Sequence, residues 1–281
     1  AFENRGSYTA STKGHMKDFG VFGNAGYKFT ENSILSIYGR SDDHNTTCMN
    51  QTYKINFTKL FDRFKIGLTH STGLRNPTLY ELYGSDNYGI SGNINLNPEK
   101  SETNELSLKY NILENLSFNS TAYRVKIYDQ IESNAAYSKH VNELTDINQE
   151  GLENELSFNA NNQRLSIYNI FSKSRKTNGQ AQSRRPDLSY GANYSKKILL
   201  SPVGSFNVNL NYKYTGQYID WDGSVNSRQK STDIIDLSLT KNLLVNTFYL
   251  KLTNVLNERY EKPATYSQDG RQIRFGFKSS F

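Results

Sequence analysis

Apolar and polar residues alternate along many segments of the chain, and the clearest example is Phe206–Thr215. One set of alternate positions is apolar or aromatic, namely Phe206, Val208, Leu210, Tyr212 and Tyr214. The other set is polar, namely Asn207, Asn209, Asn211, Lys213 and Thr215. A packed core does not tolerate the polar set, because each buried amide or ammonium needs its own partner. The pattern is typical of a transmembrane β-strand that has lipid on one side and water on the other.

The same alternation recurs at steady intervals and predicts about thirteen strands, each near the ~9–11 residues that cross a bilayer at a tilt. The predicted strands are Phe19–Phe29, Ile34–Ser41, Tyr53–Leu60, Phe64–Ser71, Thr103–Tyr110, Leu116–Tyr128, Ile147–Phe158, Leu165–Phe171, Leu188–Lys196, Phe206–Tyr218, Ile234–Thr240, Phe248–Val255 and Arg271–Phe281. In Leu116–Tyr128 the apolar phase slips near Tyr123, Val125 and Ile127. Either a β-bulge or a misplaced boundary would explain the slip.

The connections between these strands alternate between short and long. The short ones are Thr30–Asn32, Asp62–Arg63, Leu113–Asn115, Asn161–Asn162 and Asn242–Leu244. The long ones are Arg40–Gln51, Ser71–Glu102, Asp129–Asp146, Ser172–Pro186, Tyr218–Ser231 and Asn257–Gln272. Outer-membrane barrels have short periplasmic turns and long outer loops, whereas a soluble sandwich does not enforce this order. The sequence therefore predicts an all-β fold, a transmembrane antiparallel β-barrel.

Composition supports this prediction and excludes some alternatives. Mean hydropathy is −0.71, and no run approaches the roughly 20 apolar residues of a membrane-spanning helix. The 20 tyrosines and 15 phenylalanines suit aromatic girdles at two membrane interfaces. The net charge of +6 is scattered and forms no basic stripe with stacking positions, so we expect no nucleic-acid partner. Cys48 is the single cysteine, which excludes an internal disulfide.

The strand count suggests that the chain is part of a larger barrel. Bacterial single-chain barrels close with an even number of strands, and about thirteen is odd. The chain ends in a predicted strand but begins with the loop-like stretch Glu3–Lys17, without a basic and apolar leader. We therefore expect residues 1–281 to form a C-terminal part of a barrel whose first strands lie upstream.

Five short motifs occur in an order that is found in one family. They are Ser71–Gly84 with its Asn-Pro and Leu-Tyr-Gly segments, Asn95–Ser101 with Asn-Pro-Glu-Lys-Ser, Gly151–Glu153, Thr253–Glu261, and the terminal Arg274–Phe281. In the last of these, Arg274, Gly276 and Phe281 fit the assembly signal of outer-membrane barrels, and Ser279 departs from it. Together the motifs resemble those of TonB-dependent outer-membrane receptors. Loop lengths and Ser183–Pro186 are most similar to the cobalamin-receptor branch.

The resemblance implies a barrel of roughly 22 strands, of which this chain supplies the last thirteen or so. It also implies an N-terminal plug domain and a TonB-binding segment, both outside this chain. The expected function is uptake of a scarce nutrient in a Gram-negative outer membrane, without covalent chemistry, cofactor or metal site. Cobalamin is the first expected substrate, and a siderophore or haem is the alternative. The expected partners are that nutrient, the TonB complex, the barrel-assembly machinery and outer-membrane lipid.

Two alternative functions belong to other classes of protein. An enzyme barrel needs a nucleophile and a base that face each other, and His15, His44, His70 and His140 are scattered along the chain. A soluble β-rich adhesin or carbohydrate-binding protein needs no membrane, and it would extract into buffer without detergent.

Two outer loops contain the candidate ligand contacts. In the loop 76–97 these are Tyr80, Tyr83, Asp86 and Tyr88, because aromatic rings beside polar groups can hold a bulky ligand. Tyr80 and Tyr83 can equally pack the loop against the barrel rim. In the long connection Tyr218–Ser231 they are Asp220 and Trp221. The segment Asp220–Gly223 resembles the start of a calcium-binding loop, but the acidic ligands that should follow are missing here. The alternative is that the segment is a simple turn.

Two further clusters of side chains are candidate binding sites. Asp42, Asp43, His44 and Cys48 can hold a soft metal, or they form an acidic loop with an isolated thiol. The pair Arg184 and Arg185 precedes a strand at the outer surface, where it binds lipid phosphates or stays in solvent.

Overall fold

The computed structural model describes residues 2–5, 11–86, 89–134, 136–200, 204–221, 225–243 and 245–279. Within these ranges thirteen strands form one antiparallel sheet. They are β1 (Asp18–Thr30), β2 (Ser33–His44), β3 (Cys48–Leu60), β4 (Phe64–Arg75), β5 (Glu99–Leu113), β6 (Leu116–Tyr128), β7 (Ile147–Ala160), β8 (Gln163–Lys176), β9 (Leu188–Leu200), β10 (Gly204–Thr215), β11 (Thr232–Leu243), β12 (Asn246–Thr253) and β13 (Gln272–Ser279). Each pairs only with its neighbours in the chain, which makes the sheet an up-and-down meander. All thirteen predicted strands are confirmed, and most are longer than expected.

The two ends of the sheet differ in the length of their connections. At one end, the turn end, short links such as 31–32, 61–63, 114–115 and 161–162 join the strands. At the other end, the loop end, the long connections are 76–98, 129–146, 177–187, 216–231 and 254–271. The predicted alternation of short and long links is thus confirmed for these five loops.

The prediction of a long loop at Arg40–Gln51 is wrong. Strands β2 and β3 continue through it and are joined by residues 45–47 alone. Asp42 pairs with Asn50, and His44 pairs with Cys48, in an unbroken ladder. The sequence misled because these residues are polar, yet backbone hydrogen bonds hold a ladder together whether or not its side chains are apolar.

Cross-strand pairing sorts the residues onto two faces. One row across β4 to β8 is apolar and consists of Leu68, Leu106, Ala122, Leu152 and Phe171. A row on the opposite face, across β6 to β10, is polar and consists of Ser117, Ser157, Ser166, Asn193 and Asn211. Partners directly opposite in antiparallel strands share a face, so the sheet has an apolar face and a polar face.

Burial is inverted relative to a soluble protein. Among the described residues the buried hydrophobic side chains are Leu82, Leu96, Ile131, Ile147 and Ala264, all at the loop end. Large apolar side chains on the sheet itself stay exposed, with Phe275 at 74% and Phe22 at 73%. The sheet has no core of its own, and its apolar face requires an apolar surrounding such as lipid.

The strand Leu116–Tyr128 has the predicted boundaries and no bulge. Its pairing with β7 runs without a shift from Leu116 to Ile127. In the described sheet the register shifts lie at Lys28/Thr30 and at Asn111/Leu113 instead. The apolar phase changes because Ile127 faces the polar side, where its partner Ile147 is fully buried. At this end of the strand the polar side is covered by protein rather than by water.

The loops carry small elements of their own. A short helix, α1, spans Leu79–Tyr83. Two-stranded ribbons pair Ile131–Ser133 with His140–Asn142 and Tyr218–Trp221 with Asn226–Gln229. The strand predicted for Phe206–Tyr218 therefore ends at Thr215, and Tyr218 begins a separate ribbon. Phe2–Arg5, Ser11–Gly14 and Gly84–Ser85 form a further small sheet.

The meander is open in the described part of the chain. Strands β1 and β13 are its two edges and do not pair with each other. Every residue of β1 is exposed.

No helix in the described residues is long and apolar enough to cross a membrane.

Candidate functional site

The long connections at the loop end are tied to one another. Loops 76–98 and 129–146 share backbone hydrogen bonds from Ser91 N to Ser138 O (2.9 Å) and from His140 N to Ser91 O (3.3 Å). Asn97 N donates to Asn142 Oδ1 (2.8 Å), and Asn142 Nδ2 donates back to Asn97 O (3.0 Å). These contacts hold the two loops together as one unit.

Helix α1 is fixed at the base of this unit by a capping box and an arginine. Thr78 Oγ1 accepts from Glu81 N, and Glu81 accepts from Thr78 N at 2.7 Å. Arg75 donates to Glu81 at 3.0 Å and to Glu99 at 2.7 Å, and Glu99 also accepts from Ile131 N at 2.7 Å. Burial works to raise the pKa of Glu81, but Arg75 and the Thr78 cap outweigh it and lower that pKa. The carboxylate therefore stays charged and keeps the helix in place.

The predicted contacts of the first loop lie on or beside α1. Tyr80 Oη donates to Asp86 at 2.8 Å, and the Tyr80 ring lies edge-on to His140 with centroids 5.5 Å apart. Burial, and then the Asp86 hydrogen bond, raise the pKa of Tyr80. Tyr83 is exposed at 37%. Tyr88 lies outside the described residues.

Asp220 connects three loops through one buried carboxylate. It is 1% exposed and accepts hydrogen bonds from Arg184 Nε (2.7 Å), Trp221 N (2.9 Å) and Ala264 N (2.9 Å). Burial acts to raise the pKa of Asp220, but these donors outweigh it and hold the pKa below the ordinary value. Loops 177–187, 216–231 and 254–271 thus meet at one charge, which lies inside the loops rather than on a surface.

Trp221 lies at the end of the ribbon that Asp220 holds, and it faces another aromatic side chain. It is 41% exposed, and its ring centroid lies 6.3 Å from that of Tyr137 in loop 129–146. Sequence reasoning missed Tyr137, although it is an aromatic residue flanked by small and polar residues in a long loop. Tyr137 and His140 share a loop, so this loop connects the two predicted clusters of ligand contacts.

The ties form a continuous chain of loops. Lys176, at the end of β8, contacts Glu132 at 3.3 Å and Glu143 at 3.4 Å in loop 129–146. Arg184 N donates to Ile219 O at 2.8 Å. Exposed aromatic rings therefore project from an interlinked loop assembly, which is an arrangement that can bind a ligand through stacking and peptide hydrogen bonds.

The other candidate clusters have structural partners. Asp42 pairs with Arg40, with an Nε–Oδ2 distance of 2.7 Å, and His44 Nδ1 lies 2.8 Å from Thr46 Oγ1. No group of three or more metal-binding side chains that could hold a metal occurs among the residues that the structure describes. Arg184 forms an ion pair with Asp220. The arginine pair precedes the next strand, which begins at Leu188. Asp222 and Gly223 of the calcium-loop resemblance lie outside the described residues.

Two residues of the assembly signal lie on the last strand. Arg274 faces Lys251 across the β12–β13 pair and donates to Gln272. Gly276 faces Tyr249, whose hydroxyl occupies the space that a Cβ would need. Phe281 lies outside the described residues.

A family model described as "TonB dependent receptor-like, beta-barrel" matches residues 1–255. Among curated proteins, the vitamin B12 transporter BtuB of Vibrio cholerae is 23% identical over 239 residues, which cover 83% of this chain and 38% of that protein. The chain therefore spans well under half the length of this relative.

Solved structures show the same fold. The siderophore receptor PirA from Acinetobacter baumannii superposes with a TM-score of 0.77 at 15% identity, over 95% of this chain and 46% of that one. A mutant of the ferric enterobactin receptor PfeA from Pseudomonas aeruginosa, in complex with enterobactin, superposes with a TM-score of 0.78 at 17% identity. The match covers 95% of this chain and 46% of that one. The FrpB iron transporter from Neisseria meningitidis superposes with a TM-score of 0.73 at 16% identity, over 93% of this chain and 45% of that one.

Proposed function

Since the chain belongs to the family of TonB-dependent receptors, we propose that it forms part of an active-transport receptor for a scarce nutrient, with cobalamin as the first candidate. As a member of this family the chain is an outer-membrane β-barrel protein. Its relatives are receptors and transporters, not enzymes. Membership also removes the reading as a soluble adhesin or carbohydrate-binding protein.

The observation that carries the cobalamin proposal is the similarity to a vitamin B12 transporter over 83% of the chain. The loop lengths and Ser183–Pro186 support it, because they are most similar to the cobalamin-receptor branch of the family. A siderophore is the second candidate, because structures with TM-scores of 0.77 and 0.78 are a siderophore receptor and a ferric enterobactin receptor.

In this proposal residues 1–281 supply a C-terminal part of a barrel of roughly 22 strands. The share of each relative that the chain covers, from 38% to 46%, agrees with about half a barrel. A plug domain and a TonB-binding segment belong to the remainder of the receptor. The barrel-assembly machinery and outer-membrane lipid are the further partners proposed.

The proposed ligand site is the loop assembly around Trp221. Trp221, Tyr137, Tyr80, Tyr83 and the undescribed Tyr88 supply aromatic surface. Asp86 orients Tyr80 through the 2.8 Å hydrogen bond. Asp220 acts as a positioning residue, because its carboxylate is buried and holds the Trp221 ribbon against two other loops.

Transport in this scheme needs no covalent chemistry. The ligand binds among the outer loops, and the energised TonB complex then pulls on the plug. The polar face of the sheet, with serine and asparagine rows such as Ser157, Ser166 and Asn193, provides a wetted wall along which a polar nutrient can pass.

The test is equilibrium binding of labelled cobalamin to outer membranes that contain the receptor carrying this chain. Unlabelled cobalamin, haem and a ferric siderophore serve as competitors. We expect saturable nanomolar binding that only unlabelled cobalamin displaces. The same membranes are titrated with a labelled ferric siderophore. Saturable binding of that siderophore, with no saturable binding of labelled cobalamin, would overturn the cobalamin proposal in favour of the second candidate.

The site assignment is tested in the same assay with Trp221→Ala and Tyr137→Ala. We expect each to weaken binding about 30-fold, the size of an aromatic hot spot of roughly 2 kcal/mol. Phe61→Ala is the matched control, because Phe61 is an exposed ring in an aromatic pair at the turn end. Equal affinity of Trp221→Ala and the wild type would remove Trp221 from the site.

A further inference from the structure

Three polar residues interrupt the apolar face of the sheet on strands β6, β7 and β8. Ser120 faces Asn154 across β6 and β7, and Asn154 faces Asn169 across β7 and β8. We call these three residues the amide row. Two positions away on either side, the same face of each strand carries the apolar residues Phe118 and Ala122 on β6, Leu156 and Leu152 on β7, and Ile167 and Phe171 on β8. The amide row therefore lies within the part of the face that requires an apolar surrounding.

The hydrogen-bonding groups of the amide row are only partly used. Ser120 Oγ donates to Asn154 Oδ1 at 2.8 Å. Among the described residues, neither Asn154 Nδ2 nor the side chain of Asn169 has a hydrogen-bond partner. Both asparagines are partly accessible from outside the sheet. An amide without a partner is costly in hydrocarbon, because no water is present there to bond it.

A polar side chain that faces the membrane interior indicates a partner with hydrogen-bonding groups at the same depth. Acyl chains carry no donor or acceptor. A second copy of the receptor carries the same row at the same depth, and the membrane gives both copies the same orientation. Two such copies are related by a two-fold axis parallel to the membrane normal. Serine hydroxyls and asparagine amides each donate and accept, so the row can pair with itself.

We propose that two copies of the receptor associate in the membrane through the amide row, around a two-fold axis between β6 and β7. Asn154 Nδ2 of each copy donates to Ser120 Oγ of the second copy, and each Ser120 donates to the Asn154 of its own chain. Four side chains thus close a ring of hydrogen bonds. Barrel strands are tilted by about 35–45°, so β6 and β7, which adjoin the axis, meet their counterparts at nearly the same height.

The neighbouring positions on β6 and β7 are complementary about the same axis. Ala122 and Leu152 are direct partners within one chain, so the small side chain of each copy meets the large one of the second copy. Further toward the loop end, Arg124 meets Glu150 of the second copy. Within one chain these two charges lie 3.6 Å apart with side chains 74% and 57% exposed, which leaves both accessible to a second copy.

The charges also determine where the axis lies. An axis through β7 would bring Glu150 against Glu150, and an axis through β6 would bring Arg124 against Arg124. Like charges that face each other across an interface disfavour association. The axis between the two strands avoids both contacts and pairs each cation with a carboxylate. This association does not depend on which nutrient the loops bind.

The experiment uses the receptor that carries this chain, expressed in one membrane as two copies with different affinity tags. The membranes are extracted in mild detergent, the receptor is purified by the first tag, and the second tag is quantified. Receptors from separate cells, mixed after extraction, give the background. We expect recovery of the second tag well above that background. Recovery at the background level would overturn the proposal, and so would a complex of the first-tagged copy with a different membrane protein alone.

A triple variant tests the amide row. It combines Ser120→Ala, Asn154→Leu and Asn169→Leu, which make the face uniformly apolar and compatible with lipid. The matched control makes the same three replacements on the polar face of β10, namely Ser205→Ala, Asn207→Leu and Asn209→Leu. Folding is checked by heat-modifiable migration on gels. We expect recovery of the second tag to fall at least about five-fold in the triple variant and to stay unchanged in the control. Unchanged recovery in the folded triple variant would overturn the proposal.

A charge exchange tests the axis without relying on that control. Glu150→Arg and Arg124→Glu each break the same ion pair within a chain. Two copies of either variant bring like charges together at the axis, whereas one copy of each restores two contacts between opposite charges. We expect recovery to fall for either variant paired with itself and to return close to the wild-type level for the mixed pair. Equal recovery from all three pairings would overturn the proposal.

Discussion

At the scale of single residues, the loop assembly depends on the buried carboxylate of Asp220 and the half-buried carboxylate of Glu99, each of which accepts several hydrogen bonds. Asp220 has three donors from three different segments, and Glu99 holds both Arg75 and Ile131 N. A buried charge of this kind stabilises a structure only while its partners remain, because an unpaired one is costly. Each such carboxylate therefore acts as a joint between loops.

The variant Asp220→Asn tests this joint. The asparagine amide keeps the shape of the carboxylate but carries no charge. Its NH2 group would also face N–H donors that the carboxylate oxygens accept from. We expect the free energy of local opening of loops 216–231 and 254–271 to fall by about 1–3 kcal/mol. The measurement is hydrogen exchange at the amides of Trp221 and Ala264. Asp62→Asn in an exposed turn is the control. Unchanged protection of both amides in Asp220→Asn would contradict the assignment.

Acid should release the same joint. Because the pKa of Asp220 is lowered in the fold, its contribution is present above the ordinary aspartate value near 4 and is lost as the pH falls through the lowered pKa. We expect pepsin to cut within loop 216–231 increasingly as the pH falls from about 5 to about 2. Asp220→Asn should lack this transition. A wild-type loop with the same susceptibility throughout would rule the mechanism out.

Sequence reasoning at this scale found Trp221 and Asp220 but could not foresee their different roles. Trp221 is exposed, whereas the carboxylate beside it is buried. The difference arises from Arg184 and Ala264, which lie far away in the sequence. Tyr137 was missed for the same reason, since only the contact between two loops brings it to Trp221.

At the scale of elements, the strands were predictable because a membrane strand has a strict period of two. The alternation in Phe206–Thr215 reappears as opposite faces of β10. Helix α1 was missed, although Pro77, Thr78 and Glu81 form a capping-box signature that is visible in the sequence. The supposed loop Arg40–Gln51 was misjudged because strand pairing outside the bilayer needs no apolar residue.

The structure explains why position 151, in the Gly-x-Glu motif, is a glycine. A Cβ at this position would lie 2.5 Å from the Tyr123 hydroxyl and 2.8 Å from the carbonyl of Phe171. The Tyr123 ring thus crosses over the glycine, and its hydroxyl lies 3.5 Å from Ser172 on the next strand. An aromatic ring laid across a glycine fixes the register of three strands.

We therefore expect Gly151→Ala to destabilise the barrel by about 1–3 kcal/mol, the usual cost of overpacking. The measurement is the folded, heat-modifiable fraction as a function of urea concentration. Gly23→Ala is the matched control, since no atom lies within 4 Å of its added Cβ. If both variants unfold at the same urea concentration, Gly151 has no such role.

At the scale of the whole molecule, the described sheet is an apolar surface with a polar lining and open edges. Its buried apolar residues belong to the loop end, and the rest of its hydrophobic surface needs lipid. The motifs and the alternating loops were sufficient to predict this architecture and the family. The arrangement of the loops was not predictable, because hydrogen bonds between distant segments determine it.

The open edges predict how residues 1–281 behave when expressed alone. Strand β1 presents unpaired backbone groups along thirteen exposed residues, and such an edge is a template for pairing with other chains. We expect the isolated segment to aggregate in detergent, as measured by light scattering and gel filtration. A sharp, heat-modifiable monomer from this segment alone would contradict that expectation.

The most direct test of the central claim is uptake of labelled cobalamin by cells that carry the receptor containing this chain, before and after the proton-motive force is dissipated. We expect surface binding to persist while accumulation inside the cell stops, because the loops bind without energy and only the TonB complex moves the nutrient inward. Accumulation that continues undiminished in de-energised cells would contradict it, since a passive pore would then carry the flux.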